Sequence, residues 1–206
     1  MCHVRDSERR TDLVPCPYAA SGEHTTEITA MDRRLLRLFQ QQTLEQCGYI
    51  LIAANQLDEQ ISTHSCDDVF WRELQNLVVS TANVSKLLWG QGGRLAKKRK
   101  PLRESIKVSD LSPLRPTTMR NHFEHIDERL DRWWADSVTR NYADRSVGPS
   151  TMIAGLKEIE LFRGYDPSTA TARFWGDTYD LPEIVAEVQR IYPLLQTEAT
   201  KPHWEE

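Results

Sequence analysis

Apolar side chains recur at steps of three and four residues along most of this chain, and that spacing narrows its fold more than any other property. An α-helix turns once in about 3.6 residues, so the spacing lines apolar groups along one face that must be buried. The strongest run is Met119, Phe123, Ile126, Leu130, Trp133 or Trp134, and Val138. Ser112-Pro113 or Arg115-Pro116 opens it, because proline is tolerated in a first helical turn. The run predicts a helix over about residues 114–142. Ile28, Met31, Leu35 and Leu38, followed by Leu51, Ala54, Leu57 and Ile61, predict a long helix over about 26–62. Between those stretches Gln40-Gln41-Gln42 marks a kink or an exposed turn. A further helix starts after Ser65, carries acids at Asp67 and Asp68 where the helix dipole favours them, and stops at Gly90.

The period changes after Gly148-Pro149. Residues 156–162 (LKEIELF) and 170–175 (ATARFW) alternate as strands do, with the turn signal Asp166-Pro167-Ser168-Thr169 between them and Gly176-Asp177 behind. This predicts a β-hairpin. Asp180-Leu181-Pro182-Glu183 has the form of a capping box, with Asp in place of Ser or Thr. It introduces a last helix bearing Ile184, Val188, Ile191 and Leu195. Strands do not alternate with helices, so a parallel α/β sheet is not expected. The expected class is mainly α: an antiparallel helical bundle with a small C-terminal β-hairpin and a final helix. Residues 1–24 carry charge and two prolines without periodicity and predict a disordered arm. The remaining 25–206 form one domain, with the hairpin and helix as an extension at 150–200; a chain of 206 residues suits a single core.

The formal net charge of -4 excludes a globally basic nucleic-acid coat or a polybasic membrane sheet, though not a local basic patch. No apolar stretch approaches the roughly 20 residues that cross a bilayer, and the N-terminus is charged where a secretory signal needs an apolar core. A cytoplasmic protein without membrane partners is expected. Cys2, Cys16, Cys47 and Cys66 are widely spaced with no C-x-x-C, which suits reduced thiols. Cys47 and Cys66 fall in helical patterns and are expected to be small buried hydrophobes.

Two segments carry candidate chemistry. In the connector over 90–112, Arg94, Lys97, Lys98, Arg99, Lys100 and Arg103 place six positive charges within ten residues. That loop is either a phosphate-contacting element or a solvated connector. The preceding Gly90-Gln91-Gly92-Gly93 matches neither the Walker pattern nor the dinucleotide fingerprint. On the 114–142 helix, Asn121 and His125 share a face, and Glu128 or Arg129 continues it. Arg120 lies five residues before His125, roughly 140° around the helix and about 7.5 Å along it, so both side chains can reach one ligand lying across the helix. A histidine titrating near neutral pH and a fixed guanidinium on phosphate are the requirements of metal-independent phosphodiester cleavage. His122-x-x-His125 with Glu128 lacks the paired Glu-x-x-His helices of a carboxylate metal site, and no nucleophile elbow is present. No metal or cofactor is expected.

Arg120-Asn-His-Phe-Glu-His125 reads as R-x4-H with a polar residue directly after the arginine. It resembles the motif of the HEPN superfamily. The resemblance implies a HEPN-like bundle of four or five helices and a homodimer whose two motif helices line one cleft. Many members are endoribonucleases of toxin–antitoxin, phage-defence or RNA-processing systems, so it also implies an RNA substrate and an antitoxin partner. By position it assigns Arg120, Asn121 and His125 to catalysis. Beside them on the same helix, His122, Glu124 and Glu128 are expected to support the site. Some family toxins carry a tyrosine two residues after the histidine, where this chain has Asp127. Three readings therefore stand together: a metal-independent endoribonuclease, a non-catalytic HEPN-like module binding nucleotide, RNA or protein, and a bundle whose polar helix face is solvated.

Overall fold

The computed structural model describes residues 31–202 and Trp204, so the arm expected over 1–24 and the start of the first helix at Ile28 lie outside it. Helix α1 (Arg33–Ser62) begins where the Asp32 carboxylate accepts from Arg34 and Leu35 amides, and α2 (Asp68–Trp89) begins at the equivalent cap on Asp67. They form an antiparallel pair: Asn83 of α2 donates to Gln46 of α1 at 3.0 Å. The final helix α7 (Leu181–Thr200) lies antiparallel along α1, with Arg37 beside Glu198 and Gly48 beside Tyr192. Cys47, Ile50, Leu74, Leu77, Leu88, Val188, Ile191 and Leu195 fill the space between these three helices.

Helix α1 is continuous through Gln40-Gln41-Gln42, so neither the kink nor the exposed turn expected there exists. Gln40 is fully buried; it accepts from Arg37 Nη1 at 2.8 Å and donates to Ser105 Oγ at 2.9 Å. The apolar expectation is reversed around it, since Leu35 and Leu38 face outward. A buried amide is tolerated where its donors and acceptors are satisfied, and this one is.

Residues 93–105 are not a loose connector. They form two short helices, α3 (Gly93–Lys98) and α4 (Lys100–Ser105). Arg103 is buried, donating to Leu88 O at 2.7 Å and Ala96 O at 2.9 Å and standing 3.3 Å from Asp110. The helix expected over 114–142 is two helices, α5 (Thr118–Glu124) and α6 (Ile126–Asp136), separated at His125, whose ψ of 40° leaves the helical region. Met119 is buried, but α6 has no buried residue: Trp134 and Val138 of the predicted stripe are exposed.

The predicted hairpin is part of a four-stranded sheet of order β1 (Ser146–Val147), β2 (Arg163–Asp166), β3 (Thr171–Phe174), β4 (Asp177–Asp180). Strand β1 pairs parallel with β2, and the other two pairings are antiparallel. The segment expected as the first strand, 156–162, instead holds a 3₁₀ turn at Glu158–Glu160. Strand β4 was not expected. Trp175 and Gly176 both adopt positive φ, 55° and 84°, as a two-residue hairpin turn of primed type requires, and the chain folds straight back. Asp180 then accepts from Glu183 N at 2.9 Å, which is the expected cap of α7.

Glu160 ties the 137–160 segment together. Its buried carboxylate accepts from the hydroxyls of Ser137 and Thr139 and from Lys157 N, and these bonds lower its pKa to about 2. Cys47 is fully buried and its thiol is pushed up to about 12, as suits a small core hydrophobe, whereas Cys66 is only partly buried. Among the described residues no helix is long and apolar enough to cross a membrane.

Two predictions follow from buried polar groups. Arg103→Ala strands two carbonyls and is expected to lower stability by about 3 kcal/mol in urea unfolding; a loss under about 1 kcal/mol refutes the role. Glu160 is a depressed carboxylate, so its stabilisation is complete above its ordinary value of 4.5 and disappears as pH falls towards about 2. Glu160→Gln should therefore flatten the fall in Tm over that window relative to wild type. An unchanged acid slope contradicts the assignment.

Candidate functional site

Three hydrogen bonds fix the turn that leads into α5. Ser85 Oγ donates to Arg115 O at 2.6 Å, Ser112 Oγ to Glu187 at 3.0 Å, and Tyr179 Oη to Pro116 O at 2.7 Å. Opposite this turn, α2 ends at Gly90 with φ of 63°. A Cβ there would come 2.7 Å from Leu95 Cβ, so only glycine lets the chain turn into α3 at this closeness. Arg103 reaches across the turn from Leu88 O to Ala96 O and holds it.

Between these two turns lies a cavity of about 350 Å³, walled by Lys86, Trp89, the Gly90–Gly93 turn, Ala96, Arg115, Thr117 and Arg120. Three of the lining residues are cationic and none is acidic. Arg120 is only 9% exposed; it pairs with Glu124 one turn along α5, and its buried Nε–H has no hydrogen-bond partner. Guanidinium nitrogens are obligate donors. A buried donor without an acceptor is an unfavourable arrangement that an anion would relieve.

His125 stands apart from this cavity's walls. Its side chain is 49% exposed at the junction of α5 and α6, with Glu128 Oε1 3.2 Å from Nδ1. The carboxylate favours the proton on Nδ1, which leaves Nε2 as the basic nitrogen. His125 keeps both flanking helical bonds, its N–H to Asn121 O at 3.0 Å and its carbonyl from Arg129 N at 3.1 Å, so the break is a local kink. The Asn121 side chain is partly buried.

His122 is the better-held histidine. Its Nε2 lies 2.6 Å from Asp177 Oδ2 on β4, and its Nδ1 accepts from Arg129 Nε at 3.1 Å. Because Arg129 can only donate, the network assigns the ring proton to Nε2, where it donates to Asp177. The ring also packs on Phe174, and Arg129 lies over Trp175 with its guanidinium 5.2 Å from the ring centre. With both nitrogens engaged, His122 is a positioning residue that ties α5 and α6 to the sheet.

The basic residues divide similarly. Arg94, Lys97 and Lys98 are exposed on α3, and Lys100 is exposed but pairs with Glu104 at 3.3 Å. Arg99 stacks over Phe39 at 3.6 Å, where burial lowers its pKa. Arg103 is internal, so it is corrected from a solvent-facing cation to a structural one. Sequence reasoning missed Lys86, Arg115 and Asp177, and named Arg129 only as continuing the His125 face. Arg115 carried a signal, its place between Pro113 and Pro116 in a stiff turn, but the pairing of Asp177 with His122 spans 55 residues and left none. Among the described residues no three histidine, cysteine or carboxylate side chains are grouped to hold a metal ion. No protein-family model, curated protein or solved structure matches the chain.

His122→Ala removes two hydrogen bonds and a ring packed on Phe174, so it should destabilise the fold by about 2–3 kcal/mol in chemical denaturation. His125→Ala, at a half-exposed site, should change stability by no more than about 0.5 kcal/mol. The reverse order of the two would exclude the positioning role of His122.

Proposed function

We propose that this protein acts on RNA as a metal-independent endoribonuclease of the HEPN type. The observation that supports the reading is the contrast between its two motif residues: a buried Arg120 with a donor unused, and a half-exposed His125 that Glu128 meets at Nδ1. In this reading Arg120 binds the phosphate, whose developing negative charge it stabilises. His125 Nε2 takes the proton of the ribose 2′-hydroxyl as that oxygen attacks phosphorus, or protonates the leaving 5′-oxygen. Asn121, next to Arg120 on α5, orients the phosphate. Arg94, Lys97 and Lys98 supply sequence-independent attraction for the backbone. A second copy of the chain, in a homodimer, brings its own motif to the cleft, and a protein that covers both motifs, as an antitoxin does, is the partner this reading calls for.

A second reading has its own support. Arg120 and His125 are each paired with a different acid, Glu124 and Glu128, and His125 does not line the cavity that Arg120 walls. A module that binds an RNA or nucleotide phosphate through Arg120 without cleaving it needs no more than that.

Purified protein incubated with single-stranded and structured RNA in excess EDTA separates the two. The endoribonuclease reading expects cleavage, reduced at least a hundredfold in His125→Ala, the usual range for loss of a general acid–base. Intact RNA, or equal cleavage by His125→Ala, refutes it and leaves the binding module.

A further inference from the structure

The basic cavity contains residues that the R-x4-H motif does not. We propose that Lys86, Arg115 and Arg120, closed by the Gly90–Gly93 turn, form a binding pocket for a phosphate group. The inference shares Arg120 with the function proposed above and rests on that reading only through this residue.

Four observations carry it. First, the lining has three cations and no carboxylate, in a chain whose acids outnumber its basic residues, 30 to 26. Second, Arg120 is nine-tenths buried on the cavity wall with an unpartnered Nε–H. Its pairing with Glu124 runs through Nη2, so the ion pair fixes the guanidinium without occupying that donor. Third, the cations come from three separate pieces of chain: the last turn of α2, the proline turn and α5. Neighbours on one solvated helix face would not converge in this way. Fourth, two parts of the site are held by hydrogen bonds before any ligand arrives. Arg115 is locked through its carbonyl to Ser85 and through Nη1 to Asp110 O at 2.9 Å, and the glycine turn is held by Arg103. Prior fixing of donors reduces the ordering that binding requires.

The lining also suits close approach. A Cβ added at Gly92 or Gly93 would meet nothing within 4 Å, so the turn presents bare backbone to the cavity. Lys86 contributes a mobile point charge, whereas the two arginines contribute planar donor forks. Such a set selects a tetrahedral oxyanion over a neutral or cationic ligand. The phosphate can belong to a free nucleotide or to an RNA backbone, and the two are distinguished by experiment.

The test is isothermal titration of the full-length protein with inorganic phosphate, adenosine monophosphate and a 5′-hydroxyl oligoribonucleotide. Binding by wild type, weakened about tenfold or more in Lys86→Ala and in Arg115→Ala, is the expected result, since each removes one charge-assisted contact. Both side chains are exposed, so circular dichroism and Tm should match wild type. Binding of the monophosphate alone identifies a nucleotide site, and binding of the oligonucleotide alone a backbone site; either, with the variant losses, supports the pocket. The proposal is overturned if no probe binds at millimolar concentration, or if the Lys86→Ala/Arg115→Ala double variant binds as wild type does. Its failure is separable from that of the ribonuclease reading. RNA cleavage lost in His125→Ala, with no probe bound by wild type or with unchanged binding in the double variant, sinks the pocket alone. Phosphate binding lost in the double variant, without any RNA cleavage, sinks the nuclease alone.

Discussion

The position of one buried cation decides how the chain turns at the end of α2. Arg103 donates to Leu88 O at the end of α2 and to Ala96 O in α3, and it pairs with Asp110. The last carbonyls of a helix have no partner within the helix. At a helix end that is buried, something must supply donors, and an arginine supplies several in a fixed geometry. Trp89 adds a bond to Asp110 at 2.9 Å, which helps hold that carboxylate below its ordinary range. With these bonds in place, the Gly90–Gly93 turn is held against α2. The turn over 112–117 is then held against the same end of α2 by Ser85. The basic cavity is the space that remains between these two fixed turns.

Helix α6 has no fully buried residue; only Ile126 and Trp133 pack in part against the core. Its placement also draws on Arg129, which reaches back to His122, and on His122, which reaches on to Asp177. At the other end, Ser137 leaves the helix to donate to Glu160. Directional bonds of this kind specify one arrangement among several that apolar contact would accept. They also demand complete satisfaction, and in the described residues the few exceptions include Arg120 Nε. Arg120, which carries that open donor, is also one of the residues that wall the basic cavity.

Much of this architecture was legible in the sequence, and the failures share a cause. Periodicity locates α1, α2 and α7, and the sequence shows the cap at Asp180, because each is a local property of a few consecutive residues; Asp67, expected within the first turn of α2, caps it instead. Apolar spacing failed wherever polar groups were buried in pairs. Gln40 looked like an interruption because its partners, Arg37 and Ser105, could not be seen to meet it. Arg103 looked solvated among five other cations for the same reason. The stripe over 119–138 promised one helix, yet its C-terminal half faces water and its break falls at His125, where Asp127 and Glu128 then occupy the first turn of a new helix. The motif residues themselves were visible. Their separation into a cavity wall and an exposed junction depends on tertiary contacts, and no pattern of spacing carries that.

The acids around the motif bear on both functional readings. Scattered through Glu124, Asp127 and Glu128, negative charge would oppose any phosphate approaching Arg120 or His125. The observed pairing changes that field. Glu124 is bound to Arg120 Nη2, and Glu128 lies beside His125 Nδ1, so two of the three carboxylates act mainly on one motif residue each. A carboxylate that neutralises part of a guanidinium also fixes where its remaining donors point. One on Nδ1 of an imidazole sets which nitrogen is left to exchange protons. The same charges that look adverse in a linear sequence thus become orienting groups once paired. In the proposed pocket the attraction for phosphate is then set by the cations that no lining acid matches, Lys86 and Arg115, beside the buried Arg120.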